Sequence, residues 1–94
     1  MSAQQQKAVI TVSGLDKKGI IAAITTMLAE KNVNVLDISQ TILDKYFNMI
    51  MIVDISDCNI SLQELVDECT KVGKQINMDV RCQHENIFKY MHEI

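Results

Sequence analysis

Two stretches with apolar residues at helical spacing, each set between stretches that alternate apolar and polar, constrain the fold more than anything else in this chain. The first, 17–31, puts Ile20, Ile24, Met27, Leu28 and Lys31 on one stripe, which Ile21 widens; Asn32 is placed to stop it in a left-handed turn. The second is announced by Ser61-Leu62-Gln63-Glu64, where a serine hydroxyl and a glutamate carboxylate satisfy reciprocal backbone donors. It runs to Lys74 with Leu62, Leu65, Val66, Cys69 and Val72 as its stripe and Gly73 near its end.

The alternating stretches read as four strands. Residues 7–13 turn Ala8, Ile10 and Val12 to one side and Val9, Thr11 and Ser13 to the other. Residues 33–43 carry Leu36, Ile38 and Ile42 on one face and Asp37, Ser39 and Thr41 on the other, a half-polar strand suited to a sheet edge or a subunit boundary. Asp44-Lys45 is short enough to make the next strand its hairpin partner. That strand, 46–55, is apolar on both faces, with Phe47, Met49, Met51, Val53 and Ile55 against Ile50 and Ile52, and so belongs in the middle of a sheet. The fourth, 76–82, turns Ile76, Met78, Val80 and Cys82 inward. Strand–helix–strand–strand–helix–strand, with right-handed crossovers, gives an α+β ferredoxin-like βαββαβ sandwich. Its four-stranded antiparallel sheet has the order 4-1-3-2, with both helices on one face. The opposite face would stay open. The tail 84–94, with Ile87, Met91 and Ile94 at helical spacing, is expected to form a short C-terminal helix that must dock to be stable. That helix or a second subunit should cover the open face. Residues 1–6 are expected to be a disordered tail before a single domain over 7–83.

At 94 residues the chain has room for one domain, whose modest core would gain from a second subunit. A net charge of −3 argues against nucleic acid or an anionic membrane as partner. The chain has no apolar run of spanning length and no secretory signal, so a cytoplasmic location is expected. The three cysteines, Cys58, Cys69 and Cys82, are odd in number and widely spaced, which suits a reducing compartment. Cys82 and His84 share a strand face, but two ligands make a poor zinc site, and no metal or cofactor is expected.

This architecture hosts many functions, so particular residues must decide. RNA recognition would need stacking aromatics on the first and third strands, and only Tyr46 and Phe47 are available, at the start of the third. The first loop has neither the cysteine pair of a metal chaperone nor the arginine of an acylphosphatase-like enzyme; the one arginine is Arg81. No nucleophile–base set converges, and His84 and His92 both fall in the last eleven residues, so no enzyme activity is expected. What remains is the polar junction Gly14-Leu15-Asp16-Lys17-Lys18-Gly19-Ile20, a strand leading through a turn into a helix. Such a junction points unpaired N–H groups outward with partial positive charge behind them, which suits a small anionic molecule.

At that junction the chain resembles the ACT domain family. The resemblance rests on Ile10-Thr11-Val12-Ser13-Gly14-Leu15-Asp16-Lys17-Lys18-Gly19-Ile20-Ile21 followed by Asn32-Val33-Asn34-Val35-Leu36-Asp37-Ile38-Ser39-Gln40, and extends over about 7–90. It is nearest to the small stand-alone members related to the glycine-cleavage repressor, and Lys18 stands where many members have proline. The resemblance implies a regulatory protein that binds a small amino acid or similar metabolite between two copies and signals to a partner protein. Asp16, Gly19 and Ile20 would form one wall of the pocket; Asn34 and Val35, from the neighbouring subunit, would form the other. Each residue also has a plainer reading. Asp16 caps helix one, Gly19 is a packing glycine, Asn34 only begins a strand, and Lys17 and Lys18 are a solvated face. A ligand-free interaction or dimerisation module of the same fold is the competing expectation.

Overall fold

The computed structural model describes residues 6–86 and contains six elements: β1 (Lys7–Leu15), α1 (Ile20–Glu30), β2 (Asn34–Leu43), β3 (Tyr46–Asp54), α2 (Leu62–Ile76) and β4 (Asp79–His84). All strand pairs are antiparallel, and hydrogen-bonded neighbours run β2-β3-β1-β4, which is 4-1-3-2 counted from the other edge. The chain is a ferredoxin-like βαββαβ sandwich. The half-polar strand is an edge, and the strand apolar on both faces is central.

The core lies between the helices and one sheet face. Ala8, Ile10 and Val12 of β1, Phe47, Met49, Met51 and Val53 of β3, and Val80 and Cys82 of β4 meet Ile20, Ile24, Met27 and Leu28 of α1 and Leu65, Cys69 and Val72 of α2. Burial of this alternating set fixes the strand register, since a slip of one residue would turn every one of these side chains to the other face. The Asp44-Lys45 turn pairs Leu43 with Tyr46, with Asp44 at φ 57°.

The two helix stops share one mechanism. Asn32 at φ 61° and Asn77 at φ 57° adopt the left-handed conformation that asparagine tolerates, and the chain returns through Val33 N–H to the Leu28 carbonyl and Met78 N–H to the Gly73 carbonyl. The stop at Asn77 corrects the sequence reading of the fourth strand. Ile76-Asn77-Met78 alternates as a strand does, yet Ile76 closes α2 and β4 begins only at Asp79, continuing through His84. The first helix likewise starts at Ile20 rather than near 17, because Gly19 at φ 87° is its N-cap. His84 is thus the last strand residue and not part of a helical tail. The expected C-terminal helix beyond 86, and the tail over 1–5, lie outside the described residues.

Gly73 is not a helix end but a point of close approach. A Cβ built there would sit 2.7 Å from the Met78 carbonyl oxygen and 3.1 Å from a Val80 methyl. Alanine would improve helix propensity by about 0.8–1 kcal/mol, but overpacking against backbone costs about 1–3 kcal/mol. Gly73→Ala is therefore expected to lower stability, read as a reduced urea midpoint at unchanged slope.

The capping box at α2 is complete. Ser61 Oγ accepts from Glu64 N–H at 3.1 Å, and the Ser61 N–H donates to Glu64 Oε1 at 2.9 Å. The Ser61 backbone bond, helped by the Ser61 hydroxyl, holds the Glu64 carboxyl below the usual glutamate range. A carboxylate with a depressed folded-state pKa stabilises above its unfolded pKa and loses that contribution as pH falls through the folded value. The melting-temperature gap between the natural chain and Glu64→Gln is therefore expected at neutral pH and should close in acid.

Candidate functional site

The junction between β1 and α1 is held by the rest of the sheet. Asp16 N–H donates to the Lys45 carbonyl at 2.8 Å, tying it to the β2–β3 turn. Lys17 Nζ donates to the Ile76 carbonyl at the end of α2, where a cation meets the negative end of the helix dipole. Lys17 is therefore a helix-end contact and not simply part of a solvated face.

The start of α1 is bare where the start of α2 is capped. No side chain among the described residues caps it, and its first turn, Ile20-Ile21-Ala22-Ala23, has no acidic residue. Intrahelical bonding starts with Ala23 N–H to the Gly19 carbonyl at 3.0 Å, so the three preceding N–H groups have no intrahelical acceptor. The capping reading of Asp16 is thereby corrected: its side chain does not cap α1. Gly19 also differs from expectation. Nothing lies within 4 Å of where its Cβ would be, so packing does not require glycine; the φ of 87° does.

Beside this helix start lies an open groove of about 270 Å³, walled by Asp16, Lys17, Gly19, Ile20, Ile21 and Ala22 and, across from them, by Gln40, Ile42 and Phe47. Ile20 is a core side chain at 3% exposure and contributes chiefly backbone, whereas Ile21, which seemed to widen the core stripe, is 37% exposed and faces the groove. Larger hollows of about 520 Å³ between α1 and α2 and about 460 Å³ around Asn32, Asn34, Asp54 and Asp57 are also open to solvent. The groove at Gly19 borders the uncapped helix start at Gly19, Ile20 and Ile21.

Within one chain the expected site residues fall into two groups. Asp16, Gly19 and Ile20 meet at the groove. Asn34 and Val35 are at the far end of the sheet: Asn34 pairs with Asp54, which pairs with Lys7, while Leu15, next to Asp16, pairs with Tyr46. The intervening length of β1 is about 27 Å at ~3.4 Å per residue. Val35 is half-buried against the core and Asn34 is exposed.

The groove's other wall, Gln40, Ile42 and Phe47, was not among the residues singled out from sequence. The two-residue turn foretold that Ile42 and Phe47 would be opposite one another, as they are. Only the β1–β3 register, which no local pattern encodes, brings them to the end of β1. The β2 edge beside the groove is exposed at every residue except Val35, with Ile38 at 42%, Ile42 at 53% and Leu43 at 73% exposure. Cys82 is buried beside Cys69 in the core rather than poised with His84 for a metal. The bond shared with Cys82, with burial adding to it, pushes the Cys69 thiol well above the ordinary thiol range. His84 instead bonds Gln6 Oε1 at 3.0 Å.

Residues 6–83 match the family model of the ACT domain. The chain belongs to the ACT domain family. A UPF0237 protein of Methanocaldococcus jannaschii is 50% identical over 88 residues, covering 94% of this chain and 98% of that protein. An ACT domain protein from Streptococcus pneumoniae superposes with a TM-score of 0.79 at 40% identity, covering 90% of this chain and 96% of the other. A putative glycine cleavage system transcriptional repressor superposes with a TM-score of 0.75 at 21% identity, covering 87% of this chain but 47% of that one, a likeness of fold alone. The match takes in both the ACT domain loop at Gly19 and the edge strand β2, so every groove residue lies inside it. No helix among the described residues is long and apolar enough to cross a membrane.

Proposed function

We propose that this chain is a non-catalytic regulatory ACT domain of the cytoplasm that binds a small amino acid or similar metabolite between two copies and signals the occupancy to a partner protein. The observation that carries the reading is the bare start of α1 at Gly19, opening onto a groove whose far wall is an exposed, unpaired edge strand. A ligand carboxylate accepts from the N–H groups at the start of α1, where the helix dipole favours an anion. The ammonium group goes to Asp16 or to the side-chain oxygen of Asn34. Lys17 and Lys18 keep the approach positive. A groove of about 270 Å³ is slightly smaller than pockets for drug-sized molecules and suits a ligand of amino-acid size.

Sheet geometry supports a second copy. Asp37 is the one charged side chain of β2. Antiparallel pairing of two β2 edges about a two-fold axis at Gln40 sets Ile38 beside Ile42 of the second copy and Ser39 beside its Thr41. Asp37 then faces Leu43 rather than another Asp37, so no like charges meet. The same pairing carries Asn34 and Val35 of the second copy past Leu43 to the Asp44-Lys45 turn, whose Lys45 carbonyl holds Asp16. Two groups about 27 Å apart in one chain become neighbours in the pair.

A thermal-shift screen of the amino acids tests this. A true ligand at a hundredfold over Kd adds about 2.7 kcal/mol, a rise of about 10–20 °C for a domain of this size. Asn34→Ala and Gln40→Ala, both at exposed positions, should weaken the response without changing the melting temperature of the free protein. If no amino acid raises that temperature, the ligand-free interaction module takes precedence. If a response survives both substitutions, the pocket is elsewhere.

A further inference from the structure

Two of the three cysteines meet in the core and take no part in the proposed site. Cys69 is on α2 at 0% exposure and Cys82 on β4 at 6%, and both thiols are free. The hairpin of α2 and β4 brings them together. The left-handed turn at Asn77 sends β4 back along the helix, and Gly73 marks where the two elements touch: a Cβ built there falls 3.3 Å from the Val80 Cβ. Cys69 is one helical turn before Gly73, about 6 Å back along α2. Cys82 is two residues beyond Val80 on the same strand face, about 7 Å along β4. The two steps run in the same direction over nearly the same length, so Cys69 faces Cys82 as position 73 faces Val80. A disulfide needs Cβ atoms about 3.5–4.5 Å apart, and the close approach at Gly73 brings helix and strand to that separation. The thiols already share a hydrogen bond, donated by Cys69 to the Cys82 sulfur.

We propose that Cys69 and Cys82 form an oxidative modification site, joined by a disulfide when hydrogen peroxide reaches them, and that the bond fastens α2 to β4. Cys82 reacts first. It has what little exposure the pair retains, and the bond from Cys69 holds its thiol below the ordinary range, against the opposing effect of burial. The Cys82 thiolate attacks one peroxide oxygen and the O–O bond breaks. Cys82 becomes a sulfenic acid, and the departing hydroxide takes up a proton to leave as water. The Cys69 sulfur then displaces the sulfenic hydroxyl. The S–S bond forms, and the Cys69 proton departs with that hydroxyl as a second water. Two thiols are oxidised and one peroxide is reduced. The bond closes the loop 69–82, which contains the whole α2–β4 turn. Cys58 is half-buried in the loop before α2, at the margin of the core, and stands apart from the pair.

Full-length protein carrying Cys58→Ser, in which Cys69 and Cys82 are the remaining thiols, tests the proposal. The folded protein is treated with hydrogen peroxide, then unfolded and alkylated. Both thiols are expected to be lost to alkylation and recovered with dithiothreitol. Tryptic cleavage after Lys71 and Arg81 should leave the Cys69 and Cys82 fragments linked until they are reduced. The oxidised protein should melt about 10 °C above the same sample after reduction. Thiols that stay open to alkylation overturn the proposal, as does their loss to sulfinic acid without a link. A link formed between two chains, or only when peroxide is added in urea, overturns it as well, because the fold then does not hold the pair ready. A linked chain with no gain in melting temperature removes the fastening of α2 to β4.

Discussion

Ile10→Ala is expected to destabilise the protein by about 2–5 kcal/mol, the range for deleting most of a fully buried aliphatic side chain. Ile10 is 0% exposed at the centre of β1, with Met51 on one flanking strand and Cys82 on the other. Rigid strands on both sides leave the cavity little room to collapse, which places the effect toward the upper part of the range. A domain with a total stability of about 5–15 kcal/mol, and small enough to sit low in that span, loses a large share of it. Urea denaturation at constant slope is the measurement, with Ile50→Ala as the control. Ile50 is on the same sheet but 43% exposed, and its truncation should stay within about 0.5 kcal/mol. Equal effects at the two positions would contradict the layer assignment.

The second large effect concerns association. Ile38→Lys puts a cation on the exposed β2 edge, one of the devices by which sheet edges avoid pairing with other chains. In a pair related at Gln40, Ile38 is beside Ile42 of the other copy. The substitution is expected to weaken self-association at least tenfold, about 1.4 kcal/mol, as measured by sedimentation across a dilution series. Ile38 is 42% exposed, so the fold itself should change by less than about 0.5 kcal/mol. Any ligand response should fall together with the association, because the copy that supplies Asn34 would be gone. Undiminished association would remove β2 as the contact and with it the composite pocket.

The sequence was most informative where one physical signal acted alone. The Ser61–Glu64 capping box, the Asn32 stop and the two-residue turn at Asp44-Lys45 are local chemistry, and each is present in the structure. Reading failed where two signals overlapped. Ile76-Asn77-Met78 satisfies both a strand alternation and a helix end, and the left-handed turn at Asn77 decides for the helix. Gly73 was read only as lying near a helix end, as it does, but what requires glycine there is the close approach of the Met78 carbonyl. The groove was half legible: the Gly19 side follows from a strand–turn–helix pattern. Its Gln40 and Phe47 side depends on which residues of distant strands face one another. Leu36 was assigned to a strand face, yet it is the extra residue of a β-bulge between Val35 and Asp37, a local irregularity that alternation cannot reveal.

The two bonds that hold the β1–α1 loop have a thermodynamic consequence. Asp16 is fastened to Lys45 and Lys17 to Ile76, so segments 29 and 59 residues away along the chain restrain two of the four loop positions between β1 and α1. A free loop of that length would surrender conformational entropy each time it closed around a small molecule. Here that ordering is completed when the sheet and α2 form, so under the proposed function a ligand would meet a loop already held in place. Such preorganisation raises affinity without adding a contact. Under that proposal Lys45 and Ile76, which do not line the groove but bond the Asp16 and Lys17 that do, would influence how tightly it holds a ligand.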